Sequence, residues 1–253
     1  MQTQKSRPEA HHPVAELRGA GVTFAGQPIL RDINLTVAAG SIVAVIGASG
    51  SGKSTLLRLL NGLQDTHQGE VYRHGQRLVD SDLREVRQRT GYALQQIGLL
   101  PHLSIASNIA LPLKLAGWDA ARQESRVQAL ADLMQLSTAQ LARYPHELSG
   151  GQQQRAGLCR AMALRPDLLL LDEAFSGLDA ITRVELHEAF LQLRGVELAS
   201  ALLVTHDLAE ADRLADWLVI LQRGRIVRQG PRDEVLADPQ DDYAARLIET
   251  FIR

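Results

Sequence analysis

Nine residues, Gly47 to Thr55, read "GASGSGKST", and no other stretch restricts the fold of this chain as strongly. The spacing is glycine, four residues, glycine, lysine, serine; it follows the apolar run "SIVAVIG" and opens into "KSTLLRLLNGL". Glycines let backbone N–H groups turn inward toward phosphate, and a helix start adds positive potential, so such a loop works where a buried strand enters it and a helix leaves it. That requirement commits the chain to an α/β fold with a parallel sheet. Gly47, Ala48, Ser49, Gly50, Ser51, Gly52 and Thr55 are expected to form the cradle, with Lys53 reaching the β- and γ-phosphates and Ser54 ligating Mg²⁺.

The rest of the chain has the matching texture. "GVTFAGQPILRDINLTV" reads as strand, with a turn at Gly40 before "SIVAVIG". Leu56, Leu59, Leu60 and Leu63 fall on one helical stripe, with Gly62 as its break. From about Gln95 to Leu158 the apolar spacing becomes helical, and strands return at "DLLLLDE" and "ALLVTHD". We therefore expect one domain over residues 15–233 with a helical subdomain at about 96–158, a flexible tail at 1–14 and a helical C-terminal tail at 234–253.

Composition removes several function classes. A net charge of −2 gives no electrostatic reason for a nucleic-acid partner. No run approaches the ~18 apolar residues of a membrane-spanning helix, so any membrane role must come through a partner. The start lacks an apolar signal core, which reads as cytoplasmic. Cys159 is the single cysteine and sits in a helical apolar–basic pattern, the context of a buried inert thiol. His11 and His12 form a pair in a polar segment, where such pairs ordinarily hold nothing.

Two acids end the strand "LLLLDE". Four leucines place Asp172 at the mouth of a dry core, where a carboxylate without a cation or donors is costly; Mg²⁺ held through water is one remedy. Glu173 is suited to polarise an attacking water. A solvated strand edge or a helix cap is the structural alternative.

"LSGGQQQR", residues 148 to 155, lies upstream of that acidic strand. Ser149 suits a helix cap, and Gly150 and Gly151 would expose backbone donors at the helix start, a second anion-binding surface in which Gln152 is a further candidate. With "GASGSGKS", "LLLLDE", "SGLD" and "LLVTHD", it makes the chain, from about Ala15 to Ile248, similar to ATP-binding cassette (ABC) ATPases. The resemblance implies a P-loop (RecA-like) core with an inserted helical subdomain, binding ATP and Mg²⁺ and pairing head to tail with a second cassette. Each ATP would then lie between one subunit's phosphate loop and the other's signature. It further implies that Phe24 stacks on adenine, Gln95 (less so Gln96) approaches Mg²⁺ and the water, Asp179 communicates across the dimer, and His206 contacts the γ-phosphate. Ala174 stands where the family commonly has proline, which removes a φ restraint but no functional group.

"GYALQQIGLLPHLSIASNIALPLKLAGWD", "DEAFSGLDAITR" and "VLADPQDDYAARLI" are most similar to importers of quaternary amines such as glycine betaine and choline. By that resemblance the partners are transmembrane permease subunits, a second cassette and, indirectly, a solute-binding protein, at the cytoplasmic face of the membrane. Leu99, Leu100, Pro101 and His102 are candidates for receiving a permease helix. The segment after Pro231 is too short for the regulatory domains often appended in that subgroup, so ionic-strength sensing is not expected from it. An importer for another solute, an exporter-type cassette, and a nucleotide-gated module with little turnover remain alternatives.

Overall fold

The computed structural model describes residues 13–94 and 97–252, the last two by backbone alone. Gln95, Gln96, His11 and His12 lie outside the described residues.

Two sheets organise the chain. Strands β1 (Ala15–Phe24), β2 (Gln27–Val37), β4 (Gln68–Arg73) and β5 (Gln76–Arg77) form an antiparallel sheet in the order β2-β1-β4-β5. The second has the order β10-β9-β3-β8-β7-β6, built from β3 (Ile42–Ile46), β6 (Thr90–Ala93), β7 (Leu168–Asp172), β8 (Ser200–Thr205), β9 (Trp217–Gln222) and β10 (Arg225–Pro231). All its neighbours pair in parallel except β10, which runs antiparallel to β9.

The stretch "GVTFAGQPIL" turns back on itself as a hairpin. Ala25 and Gly26 both take positive φ, 48° and 78°, the twist that a two-residue connection between antiparallel strands prefers.

Parallel strands covered on both faces should be apolar, and β3 and the central residues of β7 and β8 are. Leu169 and Leu171 of β7 and Ala201 and Leu203 of β8 enter one buried cluster, while Leu168, Leu170, Leu202 and Val204 enter another. Between the sheets lies α1 (Lys53–Leu60), whose Leu56, Leu57, Leu59 and Leu60 belong to the second cluster. Leu63 does not join them: the helix ends at Leu60, and Leu63 is 54% exposed beyond it. Val14, read as tail, is buried and donates its N–H to Val37 at 2.9 Å.

A short helix, α2 (Leu83–Gln88), precedes β6. Helices α3 (Ile105–Leu115), α4 (Ala120–Leu133), α5 (Thr138–Leu141) and α6 (Gly150–Met162) then fill the span between β6 and β7. Ser104, Asp119, Ser137 and Ser149 cap them, each side chain accepting from a backbone N–H of the first turn. The boundary expected at 158 falls inside α6, whose Cys159 and Met162 are fully buried against the core.

Buried Asn108 shapes the segment before α3: its amide donates to the carbonyls of Leu100, Leu103 and Ser104 and accepts from Leu100 N–H. Farther on, Arg126 of α4 forms a buried two-point ion pair with Glu197, at 2.6 and 3.0 Å, at the end of α7 (Ala180–Glu197). The chain closes with α8 (Leu208–Leu214), α9 (Arg232–Ala237) and α10 (Asp242–Ile252). The last two are packed rather than trailing, because Val235, Ala244 and Ile248 sit in the first cluster.

Candidate nucleotide site

The loop leaving β3 is tightly constrained. A Cβ at Gly47 would stand 2.1 Å from the Leu221 carbonyl oxygen, and Gly52, at φ 107°, would place one 2.6 Å from Leu30. Neighbouring backbone locks the far side: Gly224 N–H donates to Ser51 O at 3.0 Å. Lys53 begins α1 almost fully buried, and its ammonium donates to Gly47 O at 2.7 Å and Ala48 O at 3.0 Å. Burial lowers the Lys53 pKa, against the pull of Glu173 and Asp172.

These residues fit a phosphate. Ser51 Oγ is buried with no hydrogen-bond partner among the described residues, an atom that needs a ligand to satisfy it. Lys53 rests on backbone carbonyls of the loop, which it can exchange for phosphate oxygens without a large movement. Ser54 Oγ donates to Asp172 Oδ1 at 3.1 Å, so a hydroxyl and a carboxylate, the hard oxygen donors Mg²⁺ takes beside phosphate and water, stand together. Burial raises the Asp172 pKa, opposed by the Ser54 bond and added to by the Glu173 charge. Holding this carboxylate ionised next to a cation relieves that cost.

Glu173 follows Asp172 at the edge of the sheet with φ 49°, an unusual left-handed conformation for a side-chain-bearing residue. The kink keeps Glu173 N–H on Val204 O, at 2.9 Å, while the chain turns away through Ser176 N–H to Glu173 O at 3.1 Å. Ala174 thus occupies the second position of a four-residue turn, where proline is favoured, and the turn closes without one. Glu173 Oε2 lies 3.5 Å from Nδ1 of His206, which is presented just past β8. Because β7 and β8 are neighbours, with Asp172 opposite Val204, both groups reach the same edge.

Arg183 of α7 joins two loops there. Its guanidinium donates to Asp207 Oδ2 and to Leu178 O, both at 2.9 Å, tying "SGLD" to the segment that carries His206. Asp207 Oδ1 in turn caps α8. Asp179 caps α7, and hydrogen bonds from Thr182 and from the Ile181 amide hold its carboxyl below the usual range.

The signature segment sits elsewhere. Ser149 and Gln152 form a reciprocal cap at the exposed start of α6, at 3.1 and 3.4 Å. Gly150 faces open space, whereas a Cβ at Gly151 would come 2.6 Å from Thr182 Cγ2, so Gly151 is also required by packing on α7. Gln154 donates to Ser176 O at 2.8 Å, linking α6 to the "SGLD" loop. Phe24, at the end of β1, is 73% exposed.

Sequence reasoning missed Arg183, Asp207 and Tyr243. The first two stand beside recognised motifs, in "LDAITR" and "THD", and charge at those places was a usable signal. Tyr243, whose hydroxyl accepts from Ala48 N–H at 3.0 Å, is 195 positions away from it, and nothing local marks it.

A phosphate cradle at a strand–helix junction, with an acidic strand end and a histidine at the same sheet edge, defines a mononucleotide-binding α/β protein. The family profile described as "ABC transporter" matches residues 30–176, and the chain belongs to that family. It is 41% identical over 223 residues to the choline transport ATP-binding protein OpuBA of Bacillus subtilis, covering 88% of this chain and 58% of that one. It is 42% identical over 225 residues to the glycine betaine uptake system ATP-binding protein YehX of Escherichia coli, covering 89% and 73%. Its fold matches the dimeric ATP-binding cassette MJ0796 in a post-hydrolysis state bound to ADP and Pi, with a TM-score of 0.78, 28% identity and coverage of 86% and 98%.

Proposed function

We propose that this chain hydrolyses ATP to power uptake of a quaternary amine, working head to tail with a second cassette beneath transmembrane permease subunits fed by a solute-binding protein. The observation that carries the hydrolysis is the convergence at one sheet edge: the phosphate loop after β3, Asp172 ending β7 with Glu173 next to it, and His206 after β8. In this reading the loop amides and Lys53 hold the β- and γ-phosphates. Glu173 orients a water and draws its proton as the water oxygen attacks the γ-phosphorus and the bond to ADP breaks. His206, within 3.5 Å of Glu173, steadies that carboxylate and faces the transferred group. Ser54 and Asp172 would hold Mg²⁺, which supplies neutralising charge to the phosphates; Gln95 would join them. The exposed caps at Ser149–Gln152 serve the partner's nucleotide, and Phe24 offers its ring to adenine.

Among the described residues no helix is long and apolar enough to cross a membrane; in this reading the chain attaches at the cytoplasmic face through the permease. Of the four residues expected to receive it, Pro101 and His102 are exposed. Leu99 packs against the core, and the Leu100 backbone is engaged by Asn108. A neighbouring groove of about 320 Å³, lined by Tyr92, Leu111, Pro112, Leu115 and Arg160, offers a broader apolar seat between core and helices.

The test is turnover of the purified chain with and without candidate permease subunits and a binding protein, loaded in turn with betaine, choline and an amino acid. Stimulation by a loaded quaternary amine supports the whole reading; hydrolysis indifferent to every partner leaves the chemistry and removes its purpose. Glu173→Gln should keep ATP binding and slow turnover roughly 10²- to 10⁴-fold. An unslowed Gln variant would take Glu173 out of its role and favour a gating module.

A further inference from the structure

The phosphate loop is held from the C-terminal helix. Ala48 N–H donates to the Tyr243 hydroxyl at 3.0 Å, and Gly47 O, the other half of the same peptide unit, accepts from Lys53 Nζ at 2.7 Å. No described peptide bond is cis, so this N–H and C=O point in opposite directions. Tyr243 and Lys53 therefore grip one peptide plane from its two sides.

α10 is built to hold that position. Asp241 accepts the N–H groups of Tyr243 and Ala244 at 2.9 and 3.0 Å, fixing the first turn. Ala244 and Ile248 are buried in the first cluster, and Leu247 and Tyr243 pack against it. One wall of a cavity of about 700 Å³ is formed by Tyr243, Arg246, Leu247 and Thr250, and His206 and Glu210 stand on others. The helix thus faces the segment bearing His206 and touches the loop at one hydroxyl.

We propose that Tyr243 is a positioning residue for the phosphate loop: its hydroxyl fixes the Gly47–Ala48 peptide plane, and α10 thereby sets nucleotide affinity. The proposal rests on the nucleotide reading of the site. At the loop the Tyr243 hydroxyl meets backbone and no reacting group, so it acts on binding more than on the chemical step. A neutral hydrogen bond of this kind corresponds to a roughly three- to tenfold change in Kd when removed.

Tyr243→Phe keeps the ring and deletes the hydroxyl. It should raise the Kd and the KM for MgATP roughly three- to tenfold, with kcat at saturation within about twofold of wild type. Hydrogen exchange at the Ala48 amide should quicken. Thr250→Val, on the same helix and clear of the Ala48 contact, should match wild type in all four. Unchanged affinity and exchange in Tyr243→Phe would overturn the proposal, as would equal losses in Thr250→Val, which would assign the effect to helix seating. A wild-type chain that bound no nucleotide would instead sink the functional reading on which it rests.

Discussion

Gly47 has room for hydrogen and nothing larger. Gly47→Ala would force a Cβ to within 2.1 Å of Leu221 O and 3.0 Å of Ser51 Oγ, so backbone must move at the neck of the cradle. Misplacement on this scale should weaken MgATP binding at least about tenfold by calorimetric titration, with the fold intact by circular dichroism. The need for glycine here was legible, because the motif places it; the neighbour enforcing it, a carbonyl on β9, was not. Leu63 shows the same limit. Helical spacing put Leu63 on the stripe of Leu56, yet the helix stops first.

At the scale of elements, side chains bridging distant segments set the geometry. Arg183 binds Asp207 and Leu178 O together, so Arg183→Ala frees the "SGLD" loop from the segment bearing His206. Charge-assisted bonds of this type are worth about 1.5–3 kcal/mol each, and steady-state turnover should fall roughly tenfold or more while Kd for ATP changes little. Arg126 does comparable work in the helical span, reaching Glu197 and the carbonyls of Met162 and Ala163. Arg126→Met leaves a carboxylate that is 8% exposed with only the longer Arg165 contact, at 3.9 Å, and urea unfolding should show a loss of about 3 kcal/mol. Strands, caps and the helical insertion were readable from spacing and capping residues. These bridges were not, since both ends are ordinary charged residues whose meeting depends on how α4, α7 and α8 pack.

For the molecule as a whole, two buried groups oppose one another with pH. His187, enclosed beside Phe175 and near Arg213 and Arg183, is pushed down to about 4, chiefly by burial. It favours the fold above pH 6.5 and withdraws that support as pH falls toward 4. Glu210, 4% exposed, is pushed up to about 8 by burial and then by the Asp207 charge. Its contribution is complete below pH 4.5 and is lost as pH rises through 8. The two slopes cancel between about 4.5 and 6.5, leaving a decline above 6.5 of about 2 kcal/mol by pH 8. Thermal melts across pH 6.5–8 should record it, and Glu210→Gln should flatten it; a Gln variant with the wild-type slope would place the titration elsewhere.

The strand order carries a consequence for biosynthesis. β3 lies between β8 and β9, so the strand feeding the phosphate loop has no sheet neighbour until residues 200–222 have been translated. At about 5–20 residues per second the ribosome needs roughly ten to thirty seconds to supply them. For that interval "IVAVI" is a nascent apolar segment with neither flank paired, and the growing chain is a natural client for whatever shields such segments at the tunnel exit.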